Sequence, residues 1–161
     1  MTELTDGTRS VAAGRYGQAM TRADHRPYLR AVRAAIESKE IPVKTVVTDA
    51  GAIREGLLHL DPQATAAAFP EAAEVVLRWT EEHGWSYAAF YPPHSGLGTS
   101  WTHLGFGVLP TPDEVANWIG TVLINPALIV SNEDDPYRSA GDNDEDLEAR
   151  IAAYGSKSAT A

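Results

Sequence analysis

Five histidines are the side chains best suited to acid–base chemistry or metal binding, since the unperturbed pKa of histidine lies near neutrality. They are spread along the chain, at His25, His59, His83, His94 and His103. No two have the spacing of a helical zinc motif, and the chain has no cysteine. A zinc site built from His59, His83 and a carboxylate is one option; histidines in turns, in loops and on a sheet surface are the other. We favour the second and predict no metal site.

Two other patterns are candidates for a catalytic role. The glycine-rich segment 94–100 lacks the lysine of a phosphate-binding loop and the spacing of a dinucleotide-binding fingerprint, and Ser95 does not lie in a GxSxG turn. Glu81 and Glu82 are adjacent, so on a strand their side chains point to opposite faces. We interpret them as solvated charges at a hairpin end. The sequence therefore predicts no catalytic residue and no cofactor.

The clearest hairpin runs from Glu74 to Glu82 and from Trp85 to Tyr91, around a two-residue turn at His83-Gly84. In that register Trp79 lies opposite Ala88, and Leu77 lies opposite Phe90. Because side chains alternate along a strand, one face becomes the predicted core. Its members are Val75, Leu77, Trp79, Ala88 and Phe90.

The opposite face of this hairpin is the candidate binding surface, because amphipathic aromatic rings are enriched at interfaces. Together with the next strand, it is predicted to present Arg78, Trp85, Tyr87, Tyr91, Trp101 and His103. Gly105 and Gly107 would leave a floor without side chains beside it. The alternative is that the first helix or the N-terminal arm covers this face and makes it a second core.

The elements that position this face follow from periodicity and start signals. Helical spacing begins at Pro27 and ends near Ser38, and β-branched or apolar runs predict strands over 43–48 and 53–60. A fifth strand is predicted over 100–109, and a capping box at Thr111 begins the last helix. The order α-β-β-β-β-β-α predicts an α+β fold, an antiparallel sheet of about five strands with two helices on one face.

Charge divides the chain into three parts. Residues 127–161 carry eight acidic and three basic side chains, which predicts an acidic, largely disordered tail. Residues 1–23 are interpreted as a flexible arm and residues 24–126 as the single domain. Leu147, Ile151 and Tyr154 lie at i, i+4 and i+7, so a short helix is expected to form there on a partner. The net charge of -9 argues against nucleic acid, and no apolar run is long enough for a membrane span.

Three segments carry a resemblance to a known family. They are the helix start His25-Arg26-Pro27-Tyr28-Leu29-Arg30-Ala31-Val32, the hairpin motif Leu77-x-Trp79-x-x-Glu82-x-Gly84-Trp85, and Leu109-Pro110-x-Pro112 with Val115. Over about residues 25–124 the chain resembles an uncharacterised actinobacterial domain-of-unknown-function family, from which its 92–99 loop and acidic tail depart. The resemblance implies one domain in an actinobacterial cytoplasm and no catalytic residue.

These observations favour a non-catalytic binding or regulatory module that acts through the aromatic sheet face and the acidic tail. The expected partner is a protein or a second copy of the chain, with no nucleic acid and no membrane. The alternative is a small ligand-binding domain or enzyme with a pocket around His94, Trp101 and His103. Without a recognisable signal peptide or cysteine, the expected location is the cytoplasm.

Overall fold

The fold is known from a computed structural model that describes residues 21–128 and 135–160. Its strands form an open antiparallel sheet in chain order. The elements are α1 (Arg26–Glu37), β1 (Val43–Ala50), β2 (Arg54–Leu60), α2 (Pro62–Thr65), β3 (Glu74–Thr80), β4 (Gly84–Phe90), β5 (Thr102–His103), α3 (Pro112–Ile124), a short 3-10 turn (Pro126–Leu128) and α4 (Glu145–Thr160). The predicted α+β class with five antiparallel strands is confirmed. In the described part, no helix is both long and apolar enough to span a membrane.

The helices begin and end where local chemistry dictates. Pro27 lies in the first turn of α1, where its missing N–H costs nothing. Thr111 and Glu114 form the predicted capping box of α3: the Thr111 hydroxyl accepts from Glu114 N at 3.2 Å, and the Glu114 carboxylate accepts from Thr111 N at 2.9 Å. These signals fix where α1 and α3 begin.

The core lies between the helices and one sheet face, which we call the inner face. α1 packs against α3 and α4. Burial of apolar surface here is the main stabilising contribution. The helical part of the core comprises Tyr28, Leu29, Val32, Ile36, Val115, Ile119, Val122, Leu147 and Ile151.

The β3–β4 hairpin differs from its predicted register. Its turn has three residues, Glu81 to His83, and Trp79 lies opposite Trp85 rather than Ala88. Gly84 fixes this arrangement, because it opens β4 at a φ of 70° and a Cβ there would clash with the Gly107 carbonyl oxygen. An odd shift of register moves every side chain of a strand to the other face.

The core assignment is therefore right for β3 and wrong for β4. Val75, Leu77 and Trp79 are buried on the inner face as predicted. Ala88 and Phe90, predicted for the core, lie on the opposite face. The inner face of β4 instead consists of Trp85, Tyr87 and Ala89.

The fifth strand is much shorter than the predicted 100–109. Only Thr102–His103 pair with β4, because Gly105 and Gly107 both adopt positive φ and turn the chain away. Phe106, within the predicted strand, is 64% exposed. The backbone carbonyl of Val108 instead accepts a bond from Trp79 Nε1 at 2.7 Å.

The C-terminal segment belongs to the domain over residues 135–160. Its helix α4 buries Leu147 and Ile151 against α1, so the predicted separation of 127–161 as a largely disordered tail does not hold there. The apolar stripe that was expected to bind a partner packs on the core of the same chain. The Glu148 carboxylate pairs with Arg54. Of the arm predicted over 1–23, residues 1–20 lie outside the described residues. Segment 129–134 also lies outside them.

Candidate functional site

The sheet face turned away from the helices, here called the outer face, is the candidate site. No helix of the described part packs on it. Its strand residues include Leu57, His59, Val76, Arg78, Thr80, Ser86, Ala88, Phe90 and His103. Five of these residues are buried, so a partner would contact the half-buried ones, which are Leu57, His59, Arg78 and Phe90.

Three side chains on this face, Arg78, Trp101 and Phe90, form what we call the arginine–aromatic cluster. The guanidinium carbon of Arg78 lies 4.2 Å from the Trp101 ring centroid, a cation–π contact. The Trp101 ring meets Phe90 edge to face, with centroids 5.9 Å apart and an interplanar angle of 77°. All three side chains are half-buried, so each keeps surface available to a partner.

Small residues beneath the cluster make its geometry possible. Arg78 is on β3 and Trp101 precedes β5, so the arginine must cross β4 to reach the ring. Ser86 and Ala88 are the outer-face residues of β4 at this level, and both are fully buried. Larger side chains there would lift Arg78 off the sheet. The cluster is therefore held in one arrangement before any partner binds.

His103 lies beside this cluster, at the hairpin end of the sheet. It pairs with Ser86 across the β4–β5 ladder, is buried, and has its ring centroid 6.1 Å from that of His83. The hydroxyl of Thr80 accepts the backbone N–H of His83 at 3.0 Å and so orders the turn. Here His103 is a buried part of the site rather than an exposed acid–base group.

The zinc option is not supported by the positions of its histidines. His59 Nδ1 is 3.0 Å from a Glu74 carboxylate oxygen, across the β2–β3 ladder. His59 lies opposite Val76. Thr80 is four residues, or about 13 Å, further along β3, and the turn that contains His83 begins only after it. Within 21–128 and 135–160, no three histidine, aspartate or glutamate side chains form a metal-binding group.

Three of the six predicted site residues lie on the inner side instead. Trp85 is buried, and its Nε1 donates to the Tyr28 hydroxyl at 3.0 Å, which in turn donates to the Pro110 carbonyl at 2.5 Å. Tyr87 packs against the ring of Trp118. Burial raises the pKa of the Tyr87 hydroxyl. Tyr91 also packs against the core. The prediction that these rings form an outer surface is wrong, because the three-residue turn moves them beneath the helices.

The three residues of the alternative pocket have different environments. His94 is exposed in its loop, whereas His103 is buried and Trp101 is occupied by the cluster. Gly105 and Gly107 have open space around them, as expected, but lie outside β5. Two surface cavities, of about 550 and 630 Å³, are lined by other residues, around Arg22 and around Ile124.

Sequence reasoning missed a buried ion cluster at the β3–β4 turn. Glu81, interpreted as a solvated charge, has no exposed surface and pairs with Arg54 and, at 2.8 Å, with Arg22. Arg54 also donates two bonds to Glu148, at 2.9 and 2.6 Å. Burial opposes ionisation of Glu148, but the bonds from Arg54 and from Ala23 N outweigh it, so its pKa lies below the usual value. Nothing in the sequence pattern pairs these positions.

Comparison with known proteins gives the chain a family. Neither a curated protein nor a solved structure matches it. A family model, described as a family of unknown function (DUF6292), matches residues 28–121. That range contains the whole sheet and the arginine–aromatic cluster, and it ends before α4. The predicted resemblance to a family of unknown function is thereby confirmed: the chain belongs to DUF6292.

Proposed function

We propose that the domain is a non-catalytic binding or regulatory module that engages a protein partner through its outer face. The observation that carries the proposal is the arginine–aromatic cluster, half-exposed on a sheet face that no described helix covers. The helices hold the opposite face, so the sheet acts as a rigid support for the cluster.

The composition of the cluster favours a protein partner. Tryptophan and arginine dominate the energetics of protein interfaces, where they fill desolvated central positions. Here the rings and the guanidinium already hold one another in place, which lowers the entropy lost on binding. Preorganised side chains on strands therefore suit recognition of another protein surface.

Charge and composition support the remaining parts of the proposal. The exposed acids of the C-terminal segment, such as Asp146, add a negative field that favours a basic partner. The absence of cysteine is compatible with a cytoplasmic location. The actinobacterial origin stays a prediction of the resemblance.

The test is affinity capture with matched surface variants. The immobilised wild-type chain, Trp101→Ala, Arg78→Ala and Ile124→Ala are incubated with extract of the source cells, and bound proteins are quantified by mass spectrometry. Ile124 is the control, because it is 84% exposed at the end of α3. We expect one partner to be retained by wild type and Ile124→Ala and lost by both cluster variants, all four having similar melting temperatures. Equal capture by all four chains would refute the proposal.

The rival function is a small ligand-binding domain or enzyme around His94, Trp101 and His103. A thermal-shift screen against metabolites separates the two, because a ligand that binds the folded state raises its apparent stability. A stabilising metabolite whose effect is abolished by His94→Ala would favour the rival. We expect none.

A further inference from the structure

The long edge strand β1 has no described strand on its free side. It ends the sheet at one edge with eight residues, whereas β5 ends it at the other with two. Five of the eight residues are valine or threonine and none is proline. Exposed edges of this kind present unpaired N–H and C=O groups to another strand.

Among the described residues, the contacts that protect this edge lie at its ends. An irregularity in register falls at Lys44, and Arg33 donates to the Val43 carbonyl at 3.1 Å. Arg22 donates to the Gly51 carbonyl beyond the other end, also at 3.1 Å. Between these points the segment 45–49 pairs regularly with β2 and is largely exposed, with Val47 47% accessible at its centre.

We propose that β1 pairs antiparallel with β1 of a second copy, about a two-fold axis at Val47. The axis is perpendicular to the sheet, so residues that face each other share a sheet face and Val47 meets its own equivalent. Thr45 then lies opposite Asp49 of the second copy, and Val46 lies opposite Thr48. The two sheets join into ten strands with a continuous outer face, and two arginine–aromatic clusters lie on the same side.

The local charge of β1 is compatible with a second copy at this edge, although the net charges of two chains repel each other. The chain carries a net charge of -9, so association with itself needs a contact without excess negative charge. β1 has one lysine and one aspartate. The proposed register places Lys44 of one copy and Asp49 of the other at the same end of the paired segment, and no like charges face each other. The contact also covers Val47, the most exposed apolar side chain of the strand.

Because the chain has no cysteine, a single introduced cysteine tests the geometry. Val47→Cys and Leu57→Cys are oxidised at equal concentration and compared by non-reducing electrophoresis. Leu57 is the control, since it pairs with Val47 from β2 on the same outer face. Facing residues have Cβ atoms about 5 Å apart, whereas two Leu57 positions would be separated by three strand spacings, about 14 Å. We expect a covalent dimer for Val47→Cys only; equal cross-linking of both, or of neither, overturns the proposal.

Light scattering on the unmodified chain gives an independent measurement. Wild type is expected at twice its 17.3 kDa chain mass near 100 µM, and Val47→Lys at the monomer mass. The two ammonium groups at the axis should weaken association by about tenfold or more. A monomeric wild type, or a dimeric Val47→Lys, contradicts the edge contact. These results do not depend on the capture of a partner by Arg78 and Trp101, so the two proposals can fail separately.

Discussion

Glu148→Gln tests how firmly the C-terminal segment is joined to the domain. The glutamate accepts two bonds from Arg54 and one from Ala23 N at 2.7 Å, in a site where Arg54 is 3% exposed. A hydrogen bond to a charged group contributes about 1 kcal/mol more to stability than a neutral one. With three such bonds, Glu148→Gln should lower the free energy of unfolding by ~3 kcal/mol. At about 3 °C per kcal/mol for a chain of this size, the melting temperature should fall by ~9 °C.

Urea unfolding followed by tryptophan fluorescence measures this loss, because Trp79 and Trp85 are buried in the same core. Glu145→Gln is the matched control, since Glu145 is an exposed residue in the first turn of the same helix. We expect the control to stay within about 0.5 kcal/mol of wild type, as ordinary surface substitutions do. If Glu148→Gln were equally neutral, the ion cluster would not hold α4 in place.

Three further predictions follow from the same structure. The pKa of Glu148 is lowered from its ordinary 4.5, so its contribution is present above that pH and is lost as the pH falls through the folded-state pKa; in acid titrations the stability gap between wild type and Glu148→Gln should shrink below about pH 4.5. Trp85→Ala removes a fully buried ring and should cost about 3–5 kcal/mol in chemical unfolding, whereas Trp101→Ala should cost much less. Thr111→Ala deletes the cap of α3 and should cost about 1 kcal/mol, measured the same way.

Local signals, carried by residues close together in the sequence, were sufficient to predict much of the fold. The proline at the start of α1 and the capping box of α3 act within one helical turn, and the alternation of Val75, Leu77 and Trp79 is set by strand geometry alone. Each signal has a local physical cause, so the sequence could predict it.

The errors arise where one local choice has distant consequences. A hairpin turn of three residues instead of two moved Trp85 and Tyr87 from the predicted surface to the core. The pairing of Arg54 with Glu148 joins positions 94 residues apart, and no periodicity links them. The acidic content of the C-terminal segment predicted disorder for the same reason. Partners distant in sequence neutralise part of its charge, and the sequence does not show them.

Oxidative footprinting of tryptophans in the full chain, free and with the captured partner, tests the central claim most directly. Trp101 should be oxidised in the free chain, because it lies half-exposed on the outer face, and should become protected when the partner binds. Trp85 should resist oxidation in both states, because the helices bury it. Protection of Trp101 in the free chain, or oxidation unchanged by the partner, would contradict a binding function of the outer face.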